Sequence, residues 1–183
     1  MEKMQMPEAG EDGERLNRSH LPSNHALPGR TPQVSFIRMG DDFIEAFPDA
    51  IANFVSCTGV KRNSTNHRLK RTFPAYAMDY KRRCLRKHLV VGEAYPFDLG
   101  TMFGTRVIIS LPIKAHWREL LQPAQVRSAL SNLVNVCNEL GIESLAVPLF
   151  EGPPAEWIES KLREDLTRHP KGSIKTIFLF REE

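Results

Sequence analysis

Ten basic side chains fall between Lys61 and His88 (Lys61, Arg62, Arg68, Lys70, Arg71, Lys81, Arg82, Arg83, Arg86 and Lys87), against one acid, Asp79. The stretch carries +9 and the whole chain +3, so the remainder is acidic at −6. A surface with that asymmetry suits phosphates, whether of a nucleotide, a nucleic acid or an acidic partner. The competing explanation is a solvated helix whose long cationic side chains cover apolar neighbours with their methylene stems. For any single residue the second explanation is the better one; for the cluster the two stand level.

No other group of residues forms a self-sufficient catalytic set. The sequence contains no G-x-S-x-G, no Walker-type GK[ST], no HExxH and no G-x-G-x-x-G, which removes the common hydrolase, nucleotidase, metalloprotease and dinucleotide signatures. His67, His88 and His116 stand apart from one another and read as surface or hydrogen-bonded structural residues. Cys57, Cys84 and Cys137 are odd in number, widely spaced and without CxxC or Cys/His ligand spacing. They read as reduced thiols of a cytoplasmic protein, with no metal site and no cofactor expected.

The elements that must carry the cations follow from composition and pattern. At 183 residues, 41% hydrophobic and 26% charged, the chain has the make-up of a soluble globular protein. No apolar run approaches the roughly 20 residues of a membrane span, and the N-terminus does not read as an export signal. Residues 1–33 are poor in aliphatic side chains and read as a flexible or partner-ordered arm. Residues 34–183 read as one domain. Short apolar segments predict strands at Val34–Arg38, Ala50–Phe54, Glu93–Asp98, Arg106–Leu111, Ser144–Pro148 and Ser173–Phe180. Apolar residues at i, i+3, i+4 and i+7 predict a helix over Gln125–Leu140, with Pro123 before it and Gly141 after it. Further helices are expected at Arg68–Arg83, interrupted or restarted near Pro74, and at Ala155–Arg168. Strands alternating with helices imply an α/β fold with a mixed sheet covered on both faces.

Four segments together resemble the macro domain, a three-layer α/β/α fold that binds ADP-ribose, and are most similar to the branch found in DarG antitoxins, which remove ADP-ribose from DNA. They are GDDFIEAFPDAIANFVS, GVKRNSTNHRLKRTFP, IISLPIKAHWRE and LGIESLAVPLF with Trp157 downstream. The resemblance runs from Val34 to Phe180. Its most specific part is His116-Trp117-Arg118 following a strand and Pro112.

The resemblance implies roles residue by residue. Asp41 falls where the family's aspartate accepts from the adenine amino group. Asn53 and Ser56 fall on the two asparagines facing the distal ribose, the second being the shorter serine here. Gly59 is the glycine of the family's Gly-Val, Gly152 belongs to the second glycine loop, and Lys70 falls on the lysine that acts on the sugar. Arg68 and Arg71 beside it would favour its neutral, nucleophilic form.

Departures from the family pattern fall on the phosphate loops, where glycines let main-chain N–H groups approach a diphosphate. The first loop reads Lys61-Arg62-Asn63-Ser64, without glycine. The second reads Phe150-Glu151-Gly152-Pro153-Pro154, with two residues that lack N–H donors and one acid. The favoured expectation is a degenerate macro domain kept as a binding or structural module, possibly within a larger assembly. It would meet a protein partner or further copies of itself through the 1–33 arm. The alternative is an ADP-ribosyl hydrolase, with ADP-ribose or nucleic acid held at the 61–88 basic stretch.

Overall fold

The computed structural model describes residues 33–40, 42–59 and 64–181. The expected arm up to residue 32, Asp41, and the first phosphate loop at 60–63 lie outside the described residues.

Ten elements follow in order: β1 (Ser35–Met39), β2 (Ala50–Ser56), α1 (Ser64–Thr72), α2 (Pro74–Leu85), β3 (Tyr95–Asp98), β4 (Val107–Lys114), α3 (Pro123–Glu139), β5 (Ser144–Leu149), α4 (Pro153–Arg168) and β6 (Thr176–Arg181). The strands form one mixed sheet in the order β1-β6-β5-β2-β4-β3. β3 runs antiparallel to β4 and every other pairing is parallel. The two faces of the sheet are sorted by alternation along each strand. Ile51, Ile108, Ala146 and Phe180 pack with Leu69 of α1 and Tyr76 of α2. Ala52, Phe54, Ile109, Leu145 and Val147 pack with Leu130, Leu133 and Val134 of α3 and with Ile158 and Leu162 of α4. The fold is therefore a three-layer α/β/α sandwich, as its alternating pattern implies.

Several boundaries differ by a few residues from the sequence expectations, and at three places proline sets the outcome. The restart expected near Pro74 within Arg68–Arg83 is present, as two helices that begin earlier, at Ser64, and end at Leu85: Pro74 takes the first position of α2 and lacks the N–H that a continuous helix would need there. α4 starts at Pro153 rather than Ala155, since proline's fixed φ suits the first helical turn. β4 runs past Leu111 to Lys114 because Pro112 sits where the β2–β4 register shifts, between Val55 and Ser56, a position that a central strand can give to proline. The carbonyl of Pro112 still accepts from Gly92 N–H at 2.8 Å.

Candidate functional site

Five parallel strands end on one side of the sheet, and in open α/β folds ligands bind outside such carboxyl ends. β2 delivers Asn53 and Ser56, β4 delivers Ser110 and Lys114, and the β5–α4 connection delivers Phe150, Glu151 and Gly152.

Asn53 is fully buried at the centre of this arrangement. Its Nδ2 donates to Asn66 Oδ1 at 2.9 Å and to the Tyr76 hydroxyl at 2.7 Å, and Tyr76 in turn shares a 2.8 Å hydrogen bond with Ser110 Oγ. Both amide hydrogens are thus used. Asn53 Oδ1 is buried without a partner among the described residues, which fixes the amide's orientation and leaves one acceptor over. Burial pushes the Tyr76 hydroxyl up to about 12, against the opposing hydrogen bonds from Ser110 and Asn53, so it serves as a neutral donor and acceptor at ordinary pH.

One turn up the strand, Ser56 Oγ lies 3.1 Å from Thr58 Oγ1, and its carbonyl accepts from the Tyr80 hydroxyl at 2.5 Å. Burial raises the Tyr80 hydroxyl well above its ordinary range. Gly59 follows with φ +77°, and a Cβ there would meet the Cys84 side chain at 3.4 Å. Cys57 and Cys84 pack against the small cluster of Val55, Tyr80 and Leu89. Burial, with Cys84 and Glu119 nearby, pushes the Cys57 thiol up.

Lys70 lies one helical turn beyond Asn66, the partner of Asn53. It is exposed in the last turn of α1, where it lines an open hollow of about 600 Å³ with His67, Arg68 and Arg71. Among the described residues no hydrogen bond or ion pair joins it to Asn53 or Ser56. Arg68 reaches Asp42 at 4.0 Å and lies 5.0 Å over the Phe43 ring. A different lysine, Lys114, occupies the end of β4 in register with Ser56, and its carbonyl accepts from Cys57 N–H at 3.0 Å. Lys114 lies inside the most specific segment, IISLPIKAHWRE, and its place at a strand end is the signal that marks it. Ala115 N–H donates to Glu119 Oε2 at 2.9 Å, and the Arg118 guanidinium lies 4.7 Å over the Trp117 ring.

Across the crevice, Gly152 caps α4 with φ 75° and ψ −154°, a conformation open essentially to glycine alone. Nothing lies within 4 Å of where its Cβ would be. The next two residues, Pro153 and Pro154, carry no N–H, and Ala155 N–H already donates to the Gly152 carbonyl at 3.1 Å. A helix N-terminus normally offers such donors to an anion; here the first three positions offer none. Phe150 packs onto Phe54, with ring centroids 5.0 Å apart, and Glu151 is exposed beside it.

Among the described residues no group of His, Cys, Asp or Glu is arranged to hold a metal ion, and no helix is long and apolar enough to cross a membrane.

The family model described as Macro domain matches residues 52–152. Over 107 residues the chain is 34% identical to a DNA ADP-ribosyl glycohydrolase of Mycobacterium tuberculosis, covering 58% of this chain and 30% of that protein. Over 137 residues it is 31% identical to a protein of the same name from Thermus aquaticus, covering 73% of this chain and 38% of that one. It therefore spans about a third of the length of these relatives. Among solved structures it resembles the macrodomain of Mycobacterium tuberculosis DarG, with TM-score 0.71 and 26% identity, covering 80% of this chain and 98% of that one.

Proposed function

The chain belongs to the macro domain family, and from that premise we propose that it is a degenerate member which serves as a binding or structural module and not as an ADP-ribosyl hydrolase. The observation that carries this reading is the start of α4. Two prolines and an already engaged Ala155 N–H replace the main-chain donors that a diphosphate needs, and exposed Glu151 adds a repelling charge. The sequence of the other phosphate loop, Lys61-Arg62-Asn63-Ser64, supports it, since it holds no glycine. The scaffold beneath is intact, and fold and activity separate readily. In this reading residues 1–33 engage the partner, a protein or further copies of the chain. The three free thiols suit a reducing, cytoplasmic setting.

A second reading has its own observation. Asn53, Ser56 and Lys114 line the strand ends, and Asn53 Oδ1 is an acceptor to spare. As an ADP-ribosyl hydrolase, like the relatives named above, the chain would place ADP-ribose over Ser56, Gly59 and Gly152, with Asp41 at the adenine and Lys70 at the anomeric carbon. Nucleic acid would then lie along residues 61–88.

Calorimetric titration of the chain with ADP-ribose separates the two. No heat at millimolar ligand is expected. Saturable binding, with release of ADP-ribose from a modified oligonucleotide that Lys70→Ala abolishes, would overturn the module.

A further inference from the structure

We propose that the outward face of α2 docks an acidic amphipathic segment of a partner protein. The proposal deepens the binding-module reading by naming the partner's chemistry, and it rests on that reading.

α2 buries Tyr76, Asp79 and Tyr80. At helical spacing the opposite side presents Met78, Lys81 and Leu85, flanked by Arg82 and, at the C-cap, by Arg86, all exposed. Met78 is 72% and Leu85 76% exposed. They lie seven residues apart on one face, about 10 Å along the axis, with the cations between and beside them. A single exposed apolar residue needs no explanation, but two large ones aligned two turns apart form a stripe.

Apart from Arg82, the cations of this face form no ion pair among the described residues. Asp79, the one acid of α2, is engaged by Arg82 and Arg83 at 2.5 Å each. Lys81, Arg86 and Lys87 are exposed, and among the described residues none of them forms an ion pair. Below the C-terminal part of the face, Arg82, Arg83, Arg86, His88 and Asp79 line a hollow of about 240 Å³. Its cations outnumber its one carboxylate, so it suits an incoming carboxylate.

This pattern selects one class of polyanion. A phosphate backbone would meet the cations but would leave Met78 and Leu85 uncovered. Single-stranded nucleic acid is held by aromatic platforms on which bases stack. The aromatic residues of α2, Tyr76 and Tyr80, are buried on the inner side. An acidic helix with apolar anchors about two turns apart satisfies both components, by the groove-and-anchor logic of helix recognition.

The test uses the full chain and a fluorescein-labelled peptide of Glu, Ala and Leu, roughly 15 residues long so that it can hold a helix, with its leucines on one face. Saturable binding is expected, weakened at least about tenfold by Met78→Ser with Leu85→Ser, and separately by Lys81→Glu with Arg86→Glu. Because these side chains are exposed, the melting temperature should stay near that of the parent. Absence of saturation overturns the proposal. So does an oligothymidine of equal charge that binds more tightly and ignores the Met78→Ser, Leu85→Ser pair, which would make the face a nucleic-acid surface. The ADP-ribose titration reports on the strand-end crevice alone, so its outcome and this one fail independently.

Discussion

The Tyr76 hydroxyl and Asn53 Nδ2, 23 residues apart in sequence and 2.7 Å apart in space, tie α2 to the central strand of the sheet. Tyr76 receives one amide hydrogen of Asn53, and the pair continues to Ser110 on β4. Every participant is buried, so removing the hydroxyl strands a donor on one side and a hydroxyl on the other. Tyr76→Phe should lower stability by about 1–3 kcal/mol, measured by urea denaturation at unchanged m-value. A cost below a few tenths would show that water or a rotated Ser110 replaces the bond.

Asp79 makes a second link testable by pH. Burial works against its charge, but hydrogen bonds from Arg83 and Arg82 outweigh this and hold the carboxyl below its ordinary 3.8. A depressed carboxyl stabilises the fold above the unfolded value and loses that contribution as pH falls through the folded one. The melting temperature should therefore drop below about pH 4. In Asp79→Asn it should begin lower and fall less over the same interval, and parallel curves for parent and variant would exclude the assignment.

How far the sequence revealed this can be followed element by element. α3 was legible because Val126, Ala129, Leu130, Leu133, Val134 and Cys137 recur at helical spacing, and all six are buried. β2 was legible as an apolar run, and its seven residues are indeed all buried. The start of α4 was not, because two consecutive prolines read locally as an interruption although proline is well suited to a first helical turn. The resemblance picked out Asn53, but not Tyr76, Asn66 and Ser110, which hold it: these contacts span loops whose closure no local pattern encodes. Lys70 and Lys114 show the same limit. Both are lysines at the end of an element; only the sheet register sets Lys114 in line with Ser56, and only the packing of α1 on the sheet sets Lys70 one turn beyond Asn66, the partner of Asn53.

Cys137 lies fully buried on α3 against the sheet, and burial pushes its thiol from 9.0 up to about 12. The sign is opposite to that of Asp79. A raised value stabilises the fold fully below pH 9 and ceases to do so as pH climbs toward 12. Tyr76 adds a similar loss only above its ordinary 10, so the interval from about pH 9 to 10 isolates the thiols. Cys137→Ala should melt lower than the parent at pH 8, from the lost packing, yet decline less steeply between pH 9 and 10. Cys57 is also raised, so Cys57→Ala is the control; if it alone flattens the curve, Cys137 is not the source.

The N-terminus of α4 offers a gain-of-binding experiment. Pro154 occupies a position whose N–H would point out of the helix start toward the crevice, and open space adjoins Gly152. Pro154→Ala returns one main-chain donor without touching the glycine that the cap conformation requires. Partial charge at a helix start is worth about 0.3–1 kcal/mol to an anion. Pyrophosphate affinity should therefore rise about two- to fivefold, and further when Glu151→Gln removes the neighbouring charge. Proline in the first turn is well tolerated, so the stability change should stay within about 1 kcal/mol. Titration of parent, single and double variants with inorganic pyrophosphate at low ionic strength measures the series. An unchanged affinity throughout would mean that the missing donors are not what closes the site, and would shift the cause to Phe150 or to the glycine-free Lys61–Ser64 loop.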